Sequence, residues 1–392
     1  MILRKRNLLL LSWPIGFLMY ILAGSNPKIA ENVFARGIFR VYAWIMSHLT
    51  GILPFSLAEV LLIAFPFFVL GVVIAGIVRI VKEKGQRMIV VGGLMRDLAC
   101  IAGIVFLWFM TGAGTNYYRY EFARYSGLEI RESTTDELYG LCTELAQKAR
   151  EAREEAVKEA AANKKDNPSE APEETAGEDG TDITETADTG AFYSGYSDRE
   201  RAYQAKLAME KLGASYEVLK GYYPRPKAVF FSRFMSEFNI TGVYFPWTVE
   251  ANVNVDVPDY TIGAALCHEL SHLKGFMRED EANYIAYLGC ANSDCAELRY
   301  SGYMLALVYA GNKLYADSKE LYSKVFATYS EGMIADLRQH SAYWKQFEDT
   351  VLSEVGEKMN DTYLKANKQT DGTKSYGRMV DLLLAEYRAG RQ

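Results

Sequence analysis

The chain has 392 residues, of which 49% are hydrophobic and 23% charged. This length can form one large domain or two modest ones, and the composition excludes collagen-like, disulfide-scaffold and wholly disordered chains. The net charge of −6 excludes the basic surface that nucleic-acid binding needs, so we expect no nucleic-acid partner. None of the five cysteines has the paired CxxC spacing of a zinc knuckle, and we expect no disulfide framework.

Three apolar runs near the N-terminus predict transmembrane helices at about 8–24, 57–78 and 96–114. The second run has no charged residue between positions 60 and 78. The first run follows a basic triplet, so a cleaved signal peptide is its alternative interpretation. The two later runs favour an anchored protein, and residues 1–114 are therefore predicted to be a membrane domain in contact with the lipid bilayer.

The basic residues of this region indicate its orientation. They concentrate at the N-terminus and in the 79–97 loop, which the positive-inside rule places in the cytoplasm. With three spans, residues 115–392 would form an extracytoplasmic domain of a multi-pass protein of the cell membrane. Residues 29–53 have apolar side chains at helical spacing, which predicts an amphipathic helix. It would lie on the membrane surface or pack against the extracytoplasmic domain.

The remainder of the chain has the signals of a mostly helical α+β fold. Capping boxes at Thr134 and Ser197 predict helices that continue to about residues 162 and 220. Between these helices, residues 163–195 are acidic and poor in large apolar side chains, which predicts a disordered insert. Short β-type runs within 227–256 predict a small sheet of about three strands. The pattern after residue 259 is helical.

The segment His268-Glu269-Leu270-Ser271-His272 is an HExxH motif. Positions i and i+4 share one face of a helix, so the two histidines can present their imidazoles to one metal ion. Glu269 lies one step around the helix, where its carboxylate can take a proton from water. The flanking residues are apolar, and unpaired histidines on a buried helix would be costly. The motif therefore predicts a zinc site with His268 and His272 as ligands and Glu269 as general base.

A hydrolytic zinc site needs a third protein ligand. Acidic residues open a second predicted helix after a connection of six residues from the last histidine, and we favour Glu279 among them. Asn283 lies four residues later on the same face, where its side chain can orient the site. Glu281 is the alternative ligand, although its i+4 neighbour is Ile285.

HExxH followed by ExxAN resembles the gluzincin metallopeptidases, whose glutamate helix carries ExxxD or ExxA(D/N). The resemblance implies a zincin-like domain in which zinc, held by His268, His272 and Glu279, supports hydrolysis of a peptide or protein substrate. It also implies Glu269 as the base and Asn283 as a supporting residue. The whole chain is similar to a bacterial family of membrane proteins with three N-terminal spans and an HExxH domain, a similarity that implies no substrate.

Two further groups of residues complete the predicted site. A developing oxyanion needs a hydrogen-bond donor, and the candidates are Tyr376, which we favour as catalytic, Arg378 and His340. Zincins pair the substrate backbone with an edge strand, for which the alternating segment 249–255 is suited. Its polar, substrate-binding face would carry Glu250, Asn252 and Asn254. An ordinary internal strand is the alternative.

These features together predict a membrane-anchored zinc metallopeptidase that acts outside the cytoplasm. One alternative is a non-catalytic zinc-binding receptor or scaffold, which Glu269 disfavours because metal binding alone does not need it. The other is a membrane sensor-transducer, which the short predicted cytoplasmic loops disfavour.

Overall fold

The computed structural model describes residues 7–166, 190–366 and 378–390. The fold is mostly helical with one small sheet, in agreement with the predicted α+β class. The chain divides into two compact units. The first, called the apolar unit, comprises Met1–Tyr120 and Phe245–Glu250. The second, called the site unit, comprises Glu121–Tyr244 and Ala251–Gln392. The boundary therefore differs from the predicted one at residue 114.

The longer helices described in the apolar unit are α1 (Leu9–Ser25), α2 (Pro27–Gly51, which is π-helical over Ala30–Phe39), α3 (Leu57–Lys82) and α4 (Lys84–Gly112), and a short 3-10 helix follows at Gly114–Tyr118. Among the described residues, α3 and α4 are each long and apolar enough to cross a membrane, and α1 with α2 adds a third span if that bent pair counts as one. Membrane association follows from these helices. Helix α4 starts at Lys84, well before the predicted residue 96, so Arg96 and Asp97, which form an ion pair of 2.8 Å, lie within it.

The segment Phe245–Glu250 is held inside the apolar unit by hydrogen bonds to its backbone. The hydroxyl of Tyr42 lies 2.9 Å from the carbonyl oxygen of Pro246 and 2.8 Å from that of Trp247. The indole N–H of Trp247 donates to the carbonyl of Val105 at 3.2 Å. These contacts explain why the segment groups with the apolar helices despite its distance from them in sequence.

The helices of the site unit are α5 (Ala123–Ser126), α6 (Thr135–Asp166), α7 (Asp198–Ser215), α8 (Ser232–Glu237), α9 (Asp259–His272), α10 (Glu279–Ala291), α11 (Ala296–Asp317), α12 (Lys319–Phe326), α13 (Glu331–Lys345), α14 (Val351–Ala366) and α15 (Arg378–Ala389). Both predicted capping boxes are confirmed. The N–H of Glu137 donates to the Thr134 hydroxyl at 3.2 Å, and Ser197 and Glu200 bond reciprocally.

Residues 167–189, the centre of the predicted insert, lie outside the described residues. The predicted end of the insert at residue 195 is wrong, because the chain already packs into the site unit at Phe192. Phe192 is buried, and its backbone N–H donates to the Asp336 carboxylate at 2.5 Å.

The sheet has three strands, which are β1 (Lys227–Ala228), β2 (Gly242–Phe245) and β3 (Glu250–Val253). Their order is β1-β3-β2, and β1 runs parallel to β3 with Lys227 opposite Asn252. Strand β3 is therefore central and is buried along its whole length. The prediction that this strand offers a free edge to a substrate is wrong, because neighbouring strands occupy both of its edges.

A buried ion pair joins α6 to α13 in the site unit. Arg153 and Asp336 are both almost completely inaccessible to solvent, and Nε of the arginine donates to the carboxylate at 2.8 Å. The same carboxylate accepts hydrogen bonds from the Tyr300 hydroxyl and the Phe192 N–H. Removing one partner of such a pair leaves the other charge buried without compensation, which is far more costly than losing a surface ion pair.

We therefore expect Asp336→Ala to lower the free energy of unfolding by about 3–5 kcal/mol. The measurement is chemical unfolding of the detergent-solubilised chain followed by circular dichroism. Arg338→Ala, at an exposed position on the same helix, is the matched control and should stay within about 0.5 kcal/mol of the parent chain. A loss no larger than that of the control would contradict the structural role of the pair.

Candidate metal and catalytic site

A short connection between α9 and α10 builds the site. Helix α9 ends at His272, and the N–H of Gly275 donates to the His272 carbonyl at 2.9 Å. Gly275 has φ of 82°, a left-handed conformation that glycine adopts without steric cost. Helix α10 then begins at Glu279. The turn thus brings the first residue of α10 back to the last turn of α9.

Three potential metal-binding atoms face each other at this point. Nε2 of His268 and Nε2 of His272 are 3.2 Å apart, and Oε2 of Glu279 lies 3.1 Å from Nε2 of His268. Adjacent ligands of a tetrahedral zinc ion, with bonds of about 2.0–2.1 Å, are separated by about 3.3 Å. Two imidazole nitrogens and one carboxylate oxygen are also a donor set that catalytic zinc uses. The residues present therefore fit this metal.

The other ring nitrogen of each histidine has a hydrogen-bond partner that directs Nε2 toward the cluster. Nδ1 of His268 lies 2.8 Å from Oδ1 of Asn283, the residue predicted to support the site. Nδ1 of His272 lies 2.7 Å from the carbonyl oxygen of Phe276. Both acceptors require a proton on Nδ1 of the histidine. The lone pair of each Nε2 is therefore available to a metal ion.

Tyr309 of α11 also belongs to the site, although the sequence offered no signal for it. Nδ2 of Asn283 donates to the Tyr309 hydroxyl oxygen at 3.4 Å, a long hydrogen bond. Burial raises the pKa of Tyr309 to about 12, so its phenol stays protonated. Tyr309, Asn283 and His268 thus form a continuous chain of polar contacts from α11 to the cluster.

Glu269 lies on α9 beside strand β2. Its carboxylate is buried and accepts a hydrogen bond from the backbone of Tyr244. Among the described residues, Oε2 of Glu269 has no hydrogen-bond partner. A methyl group on Gly242 would lie 2.4 Å from Oε1, so only glycine allows the strand to approach this closely. The isolated glycine of this strand is a sequence signal that could have indicated the contact.

The four ionisable groups of the site influence each other strongly. Burial alone would lower the pKa of His268, but the hydrogen bond and negative charge of Glu279 raise it to about 9. Burial and the charge of His268 lower the pKa of His272 to about 4. Burial raises the pKa of Glu269 to about 8, whereas His268 holds the pKa of Glu279 below its ordinary value despite burial.

These values describe the site without a metal ion. The hydrogen bond and charge of Glu279 favour the protonated form of His268, and burial favours the protonated form of Glu269. One divalent cation in place of the protons on His268 and Glu269 would leave the net charge of the cluster unchanged. Metal binding would therefore release protons, as it does where ligands must deprotonate.

Glu281, the alternative third ligand, points away from the cluster. Its Oε1 accepts the backbone N–H of Phe122 at 2.6 Å and lies 3.1 Å from a guanidinium nitrogen of Arg278. Two residues along a helix turn the side chain by about 200°, so Glu281 and Glu279 leave α10 on different sides. Of the two candidates, only Glu279 lies beside the histidines.

Glu250, predicted to bind substrate, instead caps a helix of the apolar unit. Its carboxylate accepts the backbone N–H of Leu57 at 3.1 Å and that of Ala58 at 2.9 Å. These are among the donors that the first turn of α3 leaves unpaired. The substrate-binding prediction is wrong here, because burial and these bonds commit the carboxylate to the fold.

The two asparagines of the predicted substrate strand are also buried and bonded internally. Asn252 donates from Nδ2 to the carbonyl of Val243 at 3.3 Å, and Asn254 donates to that of Ile240 at 3.0 Å. Both predictions are therefore wrong, for the same reason. Every residue of β3 is buried, as is Asn254 directly after it, so these polar side chains bond to neighbouring loops and strands.

The two described candidates for the oxyanion donor, Arg378 and His340, do not join the cluster. Tyr376 lies outside the described residues. Arg378 forms an ion pair of 3.2 Å with Asp280, and Nε2 of His340 accepts the indole N–H of Trp344 at 3.1 Å. Both described candidates are thus engaged elsewhere in the site unit.

The chain belongs to a family described as "Protein of unknown function (DUF3810)", whose model matches residues 34–384. No curated protein and no solved structure matches the chain.

We expect the purified chain to contain one zinc ion per molecule and His268→Ala or Glu279→Ala to lose it, because each removes one of three ligands. Glu281→Gln is the matched control on the same helix turn; it keeps the side-chain size and should retain zinc. The measurement is elemental analysis of the detergent-solubilised variants after dialysis. Zinc loss in Glu281→Gln but not in Glu279→Ala would show that the third ligand is misassigned.

Proposed function

We propose that the protein is a membrane-anchored zinc metallopeptidase that hydrolyses peptide bonds outside the cytoplasm. The observation that carries the proposal is the spacing of the three donor atoms on His268, His272 and Glu279, at 3.1–3.2 Å along two edges of a tetrahedral site. The side chains of His268 and Glu279 are 14% and 17% exposed, so the cluster is accessible from solvent. A purely structural zinc site would have four protein ligands and no opening.

The buried carboxylate beside the cluster favours catalysis over simple metal binding. Zinc, when bound, lowers the pKa of a coordinated water to about 7 and polarises a carbonyl group. Glu269 would accept the proton of the attacking water and deliver it to the leaving amine. Its Oε2 accepts no other hydrogen bond within the described chain, and the backbone of Tyr244 holds the carboxylate in place. Asn283 and Phe276 would keep the imidazoles aligned throughout.

We further propose that α3 and α4 cross the membrane and that α1 forms a first crossing. Basic residues cluster where α3 ends and α4 begins, namely Arg79, Lys82, Lys84 and Arg87. The positive-inside rule then places this connection in the cytoplasm and the chain after α4 outside it. The zincin-like site unit would be extracytoplasmic.

The general base can be tested without disturbing the ligands. Glu269→Gln keeps the size and helix propensity of the side chain but removes the proton acceptor. We expect zinc content to be unchanged and turnover of a peptide library to fall by at least about 10²-fold. Glu217→Gln, an exposed position in the same unit, should leave turnover at the parent level. Equal turnover in Glu269→Gln and the parent chain would refute the role of Glu269, and a zinc-loaded parent without any turnover would favour the receptor alternative.

Strand β2 lies close to the Glu269 carboxylate at Gly242, and this contact gives a second test of the site. Gly242→Ala places a methyl group against Oε1 of Glu269 and must displace the carboxylate. Because a shift of about 1 Å can cost about 10²-fold in rate, we expect a loss of that order with zinc retained. Gly311→Ala is the control, since its methyl group would make only an ordinary contact of 3.5 Å with Tyr322. An active Gly242→Ala variant would mean that the carboxylate position does not limit the reaction.

A further inference from the structure

Helix α2 of the apolar unit has a wide apolar face that no described residue covers. With about 100° per residue, its exposed apolar side chains between positions 38 and 49 fall within an arc of about 140°. They are Ile38, Val41, Trp44, Ile45 and Leu49. Val41, Trp44 and Leu49 are each 59–60% exposed. A continuous exposed apolar face of this kind indicates an interaction surface.

The opposite face of α2 is packed within the apolar unit and fixes the rotation of the helix. Its buried residues include Ala35, Phe39, Ala43, Ser47 and Thr50. Near the start of α2, the Glu31 carboxylate is buried and bonds Arg36 at 2.8 Å and Arg119 at 3.0 Å. Arg119 lies outside α2, so its ion pair with Glu31 and the packed residues hold this side of α2 against its own unit, and the apolar arc faces outward.

The direction of α2 excludes a simple continuation of α1 across a membrane. The two helices are separated only by Asn26, whose side chain caps α2 through the N–H of Lys28 at 2.8 Å. The bend between them is 116°, more than a right angle. If α1 crosses the bilayer, α2 therefore starts at the membrane boundary and runs closer to the membrane plane than to its normal.

We propose that α2 lies in the interfacial region of the bilayer, with the apolar arc in contact with acyl chains. Arg40 lies on one border of the arc and is exposed, which suits contact with lipid phosphates. Trp44 belongs to the residue type that is enriched at this depth. Because α3 and α4 of the same unit are apolar enough to cross a membrane, α2 would lie beside a bilayer. The inference uses no residue of the metal cluster and stands whether or not the protein is a peptidase.

The test is site-directed spin labelling of the full chain in phosphatidylcholine vesicles. The five native cysteines are buried, so a single cysteine introduced at position 41, 45 or 49 can be labelled selectively. Oxygen partitions into the acyl chains and a nickel chelate stays in water, so the ratio of their collision rates reports depth. Arg40→Cys is the control on the polar border of α2, and Phe67→Cys, at an exposed position of α3, is the reference for acyl-chain contact.

We expect oxygen accessibility to exceed nickel accessibility at 41, 45 and 49, with a smaller ratio than at 67 and a clear reversal at 40. Nickel accessibility above oxygen accessibility at all three positions would place the arc in water and overturn the proposal. Strong immobilisation with low accessibility to both reagents would also overturn it, because the arc would then be covered by protein, for example by a second copy of the chain. A ratio as high as that of Phe67→Cys along the whole helix would indicate a span rather than an interfacial helix.

Discussion

The site depends on one physical constraint: carboxylates that are buried together need a positive charge beside them. Glu269 and Glu279 lie beside two histidines in a largely solvent-excluded region. Burial penalises every charged form there, yet the pKa of His268 rises to about 9 because Glu279 stabilises its proton. A buried carboxylate that stays ionised needs a cation or several donors close by. A proton meets this need without metal, and we propose that zinc meets it in the active protein.

Helix geometry alone could not produce this charge cluster. The i, i+4 spacing aligns the two histidines, but the third donor comes from a different helix and depends on the reversal at Gly275. The connection has only six residues, so α9 and α10 must pack closely, and small side chains such as Ala282 and Ala286 are fully buried there. Asn283 can then reach His268 from the second turn of α10. Tight packing and ligand geometry are thus two results of one short turn.

Other buried acids illustrate how a structural carboxylate differs from Glu269. Asp336 accepts hydrogen bonds from an arginine, a tyrosine and a backbone N–H, and Glu250 caps the first turn of α3. Both oxygens of each have donors, so these groups stabilise the fold and are unavailable to a ligand. Glu269 has a donor on one side only among the described residues, which leaves an oxygen for a reacting proton.

Local sequence patterns predicted the structure correctly where the interaction involved lies within one helix or strand. The capping boxes at Thr134 and Ser197, the apolar helices α3 and α4, and the shared face of His268 and His272 all follow from spacing within one element. The choice of Glu279 also relied on a local feature, its i+4 relation to Asn283.

Only the tertiary structure decided which polar residues face the site and which serve the fold. The alternation of Glu250, Asn252 and Asn254 predicts an exposed strand face, but strand order places β3 in the centre of the sheet, where each side chain bonds internally. Tyr309, Tyr244 and Gly242 reach the site from elements remote in sequence, and no periodicity relates them to α9. Spacing along a chain determines neighbours on one helix or strand, whereas contacts between elements depend on how the whole unit packs.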